Sequence, residues 1–220
     1  MKNSKLSLTD LSLLRDLFAP GLEMIIIDPF DRVDENVDES LKSFQPDENS
    51  LNFVIDVSQY SFSCFLSNAQ DDSSTSFDFI NNADGTIRWF YNSNCKDAMH
   101  LSLYNSNSIK SKIYVSVSRI VWKLGQGNLL SFGRFEMQQL LVDEVKAKYG
   151  IEAHETCSFF TGTRGATRKV VVDVQSQDGS CAFIKIPLTE TAEKLVKNEI
   201  DMVKSLNKFD FTSLSLPKIS

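Results

Sequence analysis

The chain has 220 residues, 42% of them hydrophobic and 24% charged, with a formal net charge of −6. That is enough material for one large domain or two small ones, and the acidic balance speaks against a nucleic-acid partner. No apolar run approaches the roughly eighteen residues that a membrane span needs, and Lys2 and Lys5 precede an acid-containing stretch rather than a signal-peptide core, so a cytoplasmic protein with no membrane span is expected.

Taken in chain order, the first element is a helix over about 7–18, with Leu11, Leu14 and Phe18 at helical spacing. Met24–Ile27, Leu51–Val57 and Phe62–Leu66 read as strands. Between the first two lies an acidic stretch from Asp28 to Glu39. It has the length of a calcium loop, but Val33 stands where an EF-hand needs glycine, so a solvated acidic loop is the reading. Ser76–Ile80 and Thr86–Tyr91 form a hairpin turned by Asp84-Gly85. The aromatic run Trp89-Phe90-Tyr91 beside Arg88 invites a sugar-stacking idea, but cross-strand core pairs explain it better. Ile113–Lys123 alternates Ile113, Val115 and Val117 with polar residues and is expected to be a strand. Phe135–Tyr149 is expected to be a helix stopped by Gly150.

The remainder runs strand, strand, strand, helix, over about 155–161, 168–175, 180–186 and 189–207, with Gln177-Asp178-Gly179 turning the second strand into the third. A division at 132/133 separates a strand-rich leader from this segment. The four cysteines, Cys64, Cys95, Cys157 and Cys181, form no C-x-x-C pair, and the chain has two histidines. Reduced, mostly buried thiols are expected, not a zinc site. Residues 151–220 hold nine basic and nine acidic side chains, so the whole acidic excess belongs to residues 1–150.

Three features of the last seventy residues agree with one another. Thr161-Gly162-Thr163-Arg164-Gly165 is a glycine-containing turn between two strands, whose backbone could approach phosphate oxygens closely. Lys185 sits in an apolar strand between Ile184 and Ile186. On a helix over 189–207, Ala192, Leu195, Val196, Ile200, Val203 and Leu206 share one side, and Glu199 falls in the middle of that stripe. A carboxylate facing a core is costly without a cation, and Lys185, on the strand leading into the helix, is the candidate partner.

This order resembles the amino-terminal lobe of the protein-kinase-like fold, and more closely its small-molecule branch of aminoglycoside and choline kinase-like phosphotransferases, over about residues 155–220. The resemblance implies a kinase-like small lobe, an antiparallel sheet plus one helix, so the whole chain is expected to be α+β, with the strand-rich leader domain preceding that lobe. It implies that Lys185 contacts the α- and β-phosphates of ATP, that Glu199 holds Lys185, and that Gly162, Thr163, Arg164 and Gly165 cover the phosphates. Leu216-Pro217-Lys218-Ile219 would approach a fourth strand. ATP and Mg²⁺ are the expected cofactors of the complete protein, and a small hydroxylated molecule the expected substrate. The glycine turn is shorter than the kinase G-x-G-x-x-G, and Phe183 stands where protein kinases carry a small residue against adenine.

The catalytic half of such an enzyme is not legible. His100 is followed by Leu101-Ser102, His154 by Glu155-Thr156, and Asp210-Phe211 by Thr212, so neither an H-x-D base nor an Asp-Phe-Gly metal ligand occurs. The expectation is that these residues are inactive alone and that the protein continues past Ser220. Phe209, Phe211, Leu214 and Leu216 would then be a seam open to homodimerisation through residues 206–220 or covered by the leader. A non-catalytic binding or assembly module that keeps the lobe as a scaffold is the alternative.

Overall fold

A computed structural model describes residues 7–27, 50–55, 61–66, 73–95, 101, 107–152, 155–176, 178, 180–209 and 217. Its elements in chain order are α1 (Leu8–Phe18), β1 (Glu23–Ile27), β2 (Ser50–Ile55), β3 (Ser61–Leu66), β4 (Ser74–Asn81), β5 (Ile87–Asn92) and α2 (Ile109–Lys123). A short 3-10 turn (Gly127–Leu130) follows, then β6 (Gly133–Gln138), α3 (Gln139–Lys148), β7 (Thr156–Phe160), β8 (Lys169–Gln175), β9 (Cys181–Pro187) and α4 (Glu190–Leu206). The expected acidic loop at 28–39 lies outside the described residues.

Among the described residues nine strands form one mixed sheet in the order β1-β2-β3-β6-β4-β5-β7-β8-β9. The β1–β2 and β3–β6 pairs are parallel and all other neighbours antiparallel. The sheet does not break at the 132/133 division: β6 inserts between β3 and β4, and β5 bonds to β7, with Trp89 opposite Phe160. With four helices among the described residues the architecture is α+β.

Successive strand residues point to opposite faces, and that alternation sorts the helices into two layers. Phe90 belongs to the main core with α1 and α3, whereas Tyr91 packs with Trp122 of α2. The main core is a phenylalanine stack. Phe62 and Phe135 lie with ring centroids 4.9 Å apart, Phe77 and Phe135 5.3 Å, and Phe90 and Phe159 4.5 Å. The run Trp89-Phe90-Tyr91 is therefore split between faces: Trp89 pairs with Phe160 across the strands and Tyr91 meets Trp122 edge to face.

Two expectations fail. Residues 113–123 are not a strand but the body of α2, started by a capping box in which Ser108 and Ser111 bond each other's backbone N–H. Val115, Ser118 and Trp122 form its buried face at helical spacing, and the alternation of Ile113, Val115 and Val117 arises because the helix also carries apolar residues on its outward side. Residues 135–138 are not helical either. Phe135 and Met137 are buried in the sheet while Glu136 turns to the opposite face and accepts from the Ser74 and Ser76 hydroxyls, a period of two that the leucines of α3 mask. Gly150, with a φ of 67°, does end α3, and Gly85, with a φ of 88°, turns the β4–β5 hairpin.

None of the four cysteines is in a disulfide; Cys64, Cys95 and Cys157 are buried and Cys181 is exposed. Among the described residues no helix is long and apolar enough to cross a membrane.

Candidate functional site

β7, β8 and β9 form an antiparallel trio at one edge of the sheet, and α4 follows β9 directly. Val170 and Val172 of β8 and Ile186 of β9 join the main core. Their neighbours Lys169, Val171 and Lys185 therefore point to the other face, the side on which α2 lies. In register, Val171 stands opposite Lys185 and Lys169 opposite Pro187.

Lys185 and Glu199 meet there. The Lys185 ammonium donates to Glu199 Oε1, and Lys169 Nζ lies 3.7 Å from Oε2. This joins a strand to a helix fourteen residues on. The direct bond from Lys185, aided by Lys169, holds the Glu199 carboxyl below the usual carboxylate range. The pair is half-buried, with the Lys185 side chain 34% and the Glu199 side chain 40% exposed.

The helix stripe is shallower than its sequence suggests. Ala192 is buried, Val196, Ile200, Val203 and Leu206 are half-buried, and Leu195 is 47% exposed. Glu199 is thus at the boundary of the packed strip and not inside a core. Phe183, on the same strand face as Lys185, is 50% exposed and opposes the buried Asp173. Phe209 is 65% exposed, while Phe211, Leu214 and Leu216 lie outside the described residues, as do Gln177 and Gly179 of the expected turn.

The glycine loop between β7 and β8 is held at both ends. Thr161 is fully buried, its hydroxyl donating to the Ile87 carbonyl at 2.7 Å and its N–H to that of Arg88 at 3.0 Å. Gly162 adopts a φ of 73°, and a Cβ there would sit 2.3 Å from the Lys169 carbonyl oxygen. Only glycine fits both constraints. Arg168 Nε returns to the Thr161 carbonyl at 3.1 Å, and the N-cap residue of α4, Thr189, donates to the Ala166 carbonyl. The loop is thereby tied to the start of α4, at the end of β8–β9 nearest Lys169.

Its open side faces elsewhere. Gly162, Thr163 and Arg164 line a cleft of about 500 Å³ whose opposite wall is the hairpin turn Asn82, Ala83, Asp84 and Thr86, with Arg88 and Phe160. Lys185 and Glu199 do not line it, and Gly165 is exposed beside it. The structure therefore brings Lys185 and Glu199 together and places the loop at the same end of the strands, without joining loop and ion pair in one cavity. The ammonium of Lys185 suits a phosphate. Among the described residues no group of three His, Cys, Asp or Glu side chains could hold a metal ion.

One residue that sequence reasoning passed over is Asp10 of α1. It is 1% exposed, and its Oδ2 accepts from the Ile87 N–H at 3.0 Å. Burial pushes its carboxyl up to about 6, against the pull of that bond and of Arg164 and Arg168. Arg164 also donates to the Ser7 hydroxyl at 3.0 Å. Helix α1 and the glycine loop are thus coupled through charge. The signal was available: Asp10 shares a helix side with Leu14 and Leu17, as Glu199 does with its stripe.

Compared with protein-family models, curated proteins and solved structures, the chain matches none.

Proposed function

We propose that β7, β8, β9 and α4 form the nucleotide-binding lobe of an ATP-dependent phosphotransferase acting on a small hydroxylated molecule. The observation that carries the reading is the Lys185–Glu199 ion pair, made across an antiparallel trio and the helix that follows it. In this role Glu199 keeps the flexible lysine stem oriented, so that the ammonium is in place before a phosphate arrives. The loop glycines let the backbone approach the phosphate oxygens, and the loop would move toward Lys185 to close over them. Exposed Phe183, Leu195, Met202 and Phe209 gather on β9, α4 and the turn after it, where a second lobe would dock. Homodimerisation through 206–220 would cover part of the same seam.

The second reading, a lobe kept as an assembly scaffold, is favoured by the cleft geometry, since the concave side of the loop faces the hairpin and not Lys185. Affinity labelling separates the two. An ATP-derived acyl phosphate transfers its acyl group to a lysine beside the phosphates, and Lys185 should be the labelled residue, protected by excess ATP with Mg²⁺. Glu199→Gln should reduce labelling severalfold. Labelling that ATP does not suppress, or that ignores Lys185, would exclude the nucleotide reading and leave the scaffold.

A further inference from the structure

Helix α2 carries two faces that do different things. Its inner side buries Val115, Ser118 and Trp122 against the sheet, and Gly127 lies so close beneath Trp122 that a Cβ there would fall 2.7 Å from the indole ring. Its outer side presents Ile109, Ile113, Val117, Ile120 and Leu124, exposed by 78, 60, 48, 59 and 70%. At about 100° per residue these five fall within one quadrant of the helix, a continuous aliphatic ridge opposite the buried face. Seven of the twelve large hydrophobic side chains exposed among the described residues lie between Ile109 and Phe132. Isolated exposed apolar residues need no explanation, but a ridge of this kind does.

The charges around the ridge are of one sign. Lys112, Arg119 and Lys123 run along one flank and Lys110 lies on the other, all exposed, and the helix contains no acidic residue. In a chain of net charge −6 this is a local reversal of sign. Three occupants can be weighed against it. A second copy pairing ridge to ridge would bring basic flanks together with no acid on either helix to neutralise them, which is unfavourable. A groove in another protein would ordinarily be met by aromatic anchors, and the ridge has none. An anionic lipid surface asks for neither pairing nor shaped anchors: it takes a convex aliphatic ridge into the acyl boundary and basic flanks at the headgroups.

We infer that α2 is a docking element for an anionic membrane surface, lying in the plane of the interface with Ile109, Ile113, Val117, Ile120 and Leu124 toward the acyl chains and Lys112, Arg119 and Lys123 at the phosphates. The inference is independent of the nucleotide reading, because it uses neither β9 nor α4. Its electrostatic part acts only within a Debye length, about 8–10 Å at ordinary ionic strength, so the flanking cations are felt locally despite the overall negative charge.

Vesicle flotation of the full chain tests it. Vesicles of phosphatidylcholine with about one third phosphatidylserine should carry the protein upward, and pure phosphatidylcholine should not. The Ile113→Ser/Ile120→Ser variant, altered only at exposed positions, should keep the parent circular dichroism and lose flotation. The Lys112→Gln/Arg119→Gln/Lys123→Gln variant should bind more than about tenfold more weakly, and raised salt should mimic it. No flotation with anionic vesicles at low salt, or equal flotation by the isoleucine variant, overturns the inference. So does a dimer seen by light scattering that the isoleucine variant abolishes, or ridge-dependent binding of polyglutamate without vesicle binding, which would assign the ridge to a second copy or to an acidic protein.

Discussion

The middle of the sheet and its β9–α4 edge are built on opposite terms. In the middle, Phe62, Phe77, Phe90, Phe135 and Phe159 are all 2% exposed or less and stack across neighbouring strands, with helices α1 and α3 closing over them. At the edge, α4 buries only Ala192 and rests on half-exposed side chains and an ion pair. The middle is where stability resides, because apolar area removed from water contributes about 25 cal/mol per Å², whereas an exposed ion pair contributes little. The edge is where side chains remain free to meet something else. Two carboxylates show the same contrast: Asp10, enclosed, is held up to about 6, and Glu199, half-open beside two lysines, is held down.

The sharpest way to break this comparison is to truncate one residue from each region. Phe135→Ala removes a fully buried ring that lies against Phe62, Phe77, Phe79 and Phe90 and should cost about 3–5 kcal/mol. Leu195→Ala, on the exposed side of α4, should stay within about 0.5 kcal/mol. Urea midpoints read both, and similar losses would mean that the edge is packed as tightly as the middle.

A smaller effect is expected at Asp10. Its folded value of about 6 lies above the ordinary 3.8, so the folded state binds the extra proton. Its contribution to stability is therefore full below about pH 4 and is lost as the pH rises through 6. Asp10→Asn keeps an acceptor for the Ile87 N–H and has no charge to bury. The variant should flatten the pH dependence between pH 4 and 7 and be ~1–3 kcal/mol more stable than the parent at pH 8. A variant less stable at pH 8 would show that the attraction of Arg164 and Arg168 outweighs desolvation.

The smallest effect belongs to the ion pair. Lys185→Met should cost less than about 1 kcal/mol at pH 7, because both partners are more than a third exposed. Glu199 has a lowered folded value, so whatever the pair contributes is present above the ordinary carboxylate range and lost as the pH falls through that lowered value. The difference between parent and variant should accordingly vanish in acid. A loss of several kcal/mol at pH 7 would place the pair in the core and remove the contrast between the two regions.

Much of this was readable from sequence where one period had one meaning. The strands β1 to β5 and β7 to β9 were legible because apolar residues alternate or run together between turn residues, and the Asp84-Gly85 turn because it needs a positive φ. The Lys185–Glu199 contact was legible because a carboxylate among apolar helix positions asks for a cation. The β6 and α2 segments were not. In β6 a short period of two runs directly into the helical period of α3, and in α2 an outer ridge of isoleucine, valine and leucine is superimposed on the inner face.

The sequence by itself determined local conformation at the glycines and the paired charges, since those depend on sterics and neighbours within a few residues or on a single long-range attraction. Only the tertiary structure decided that β6 inserts between β3 and β4, that the strands before and after residue 132 share one sheet, and that the loop opens toward the hairpin. Those outcomes depend on which apolar faces meet across distant parts of the chain, and burial is non-directional: it rewards the sum of the areas removed from water without marking in any one segment where its partner will be found.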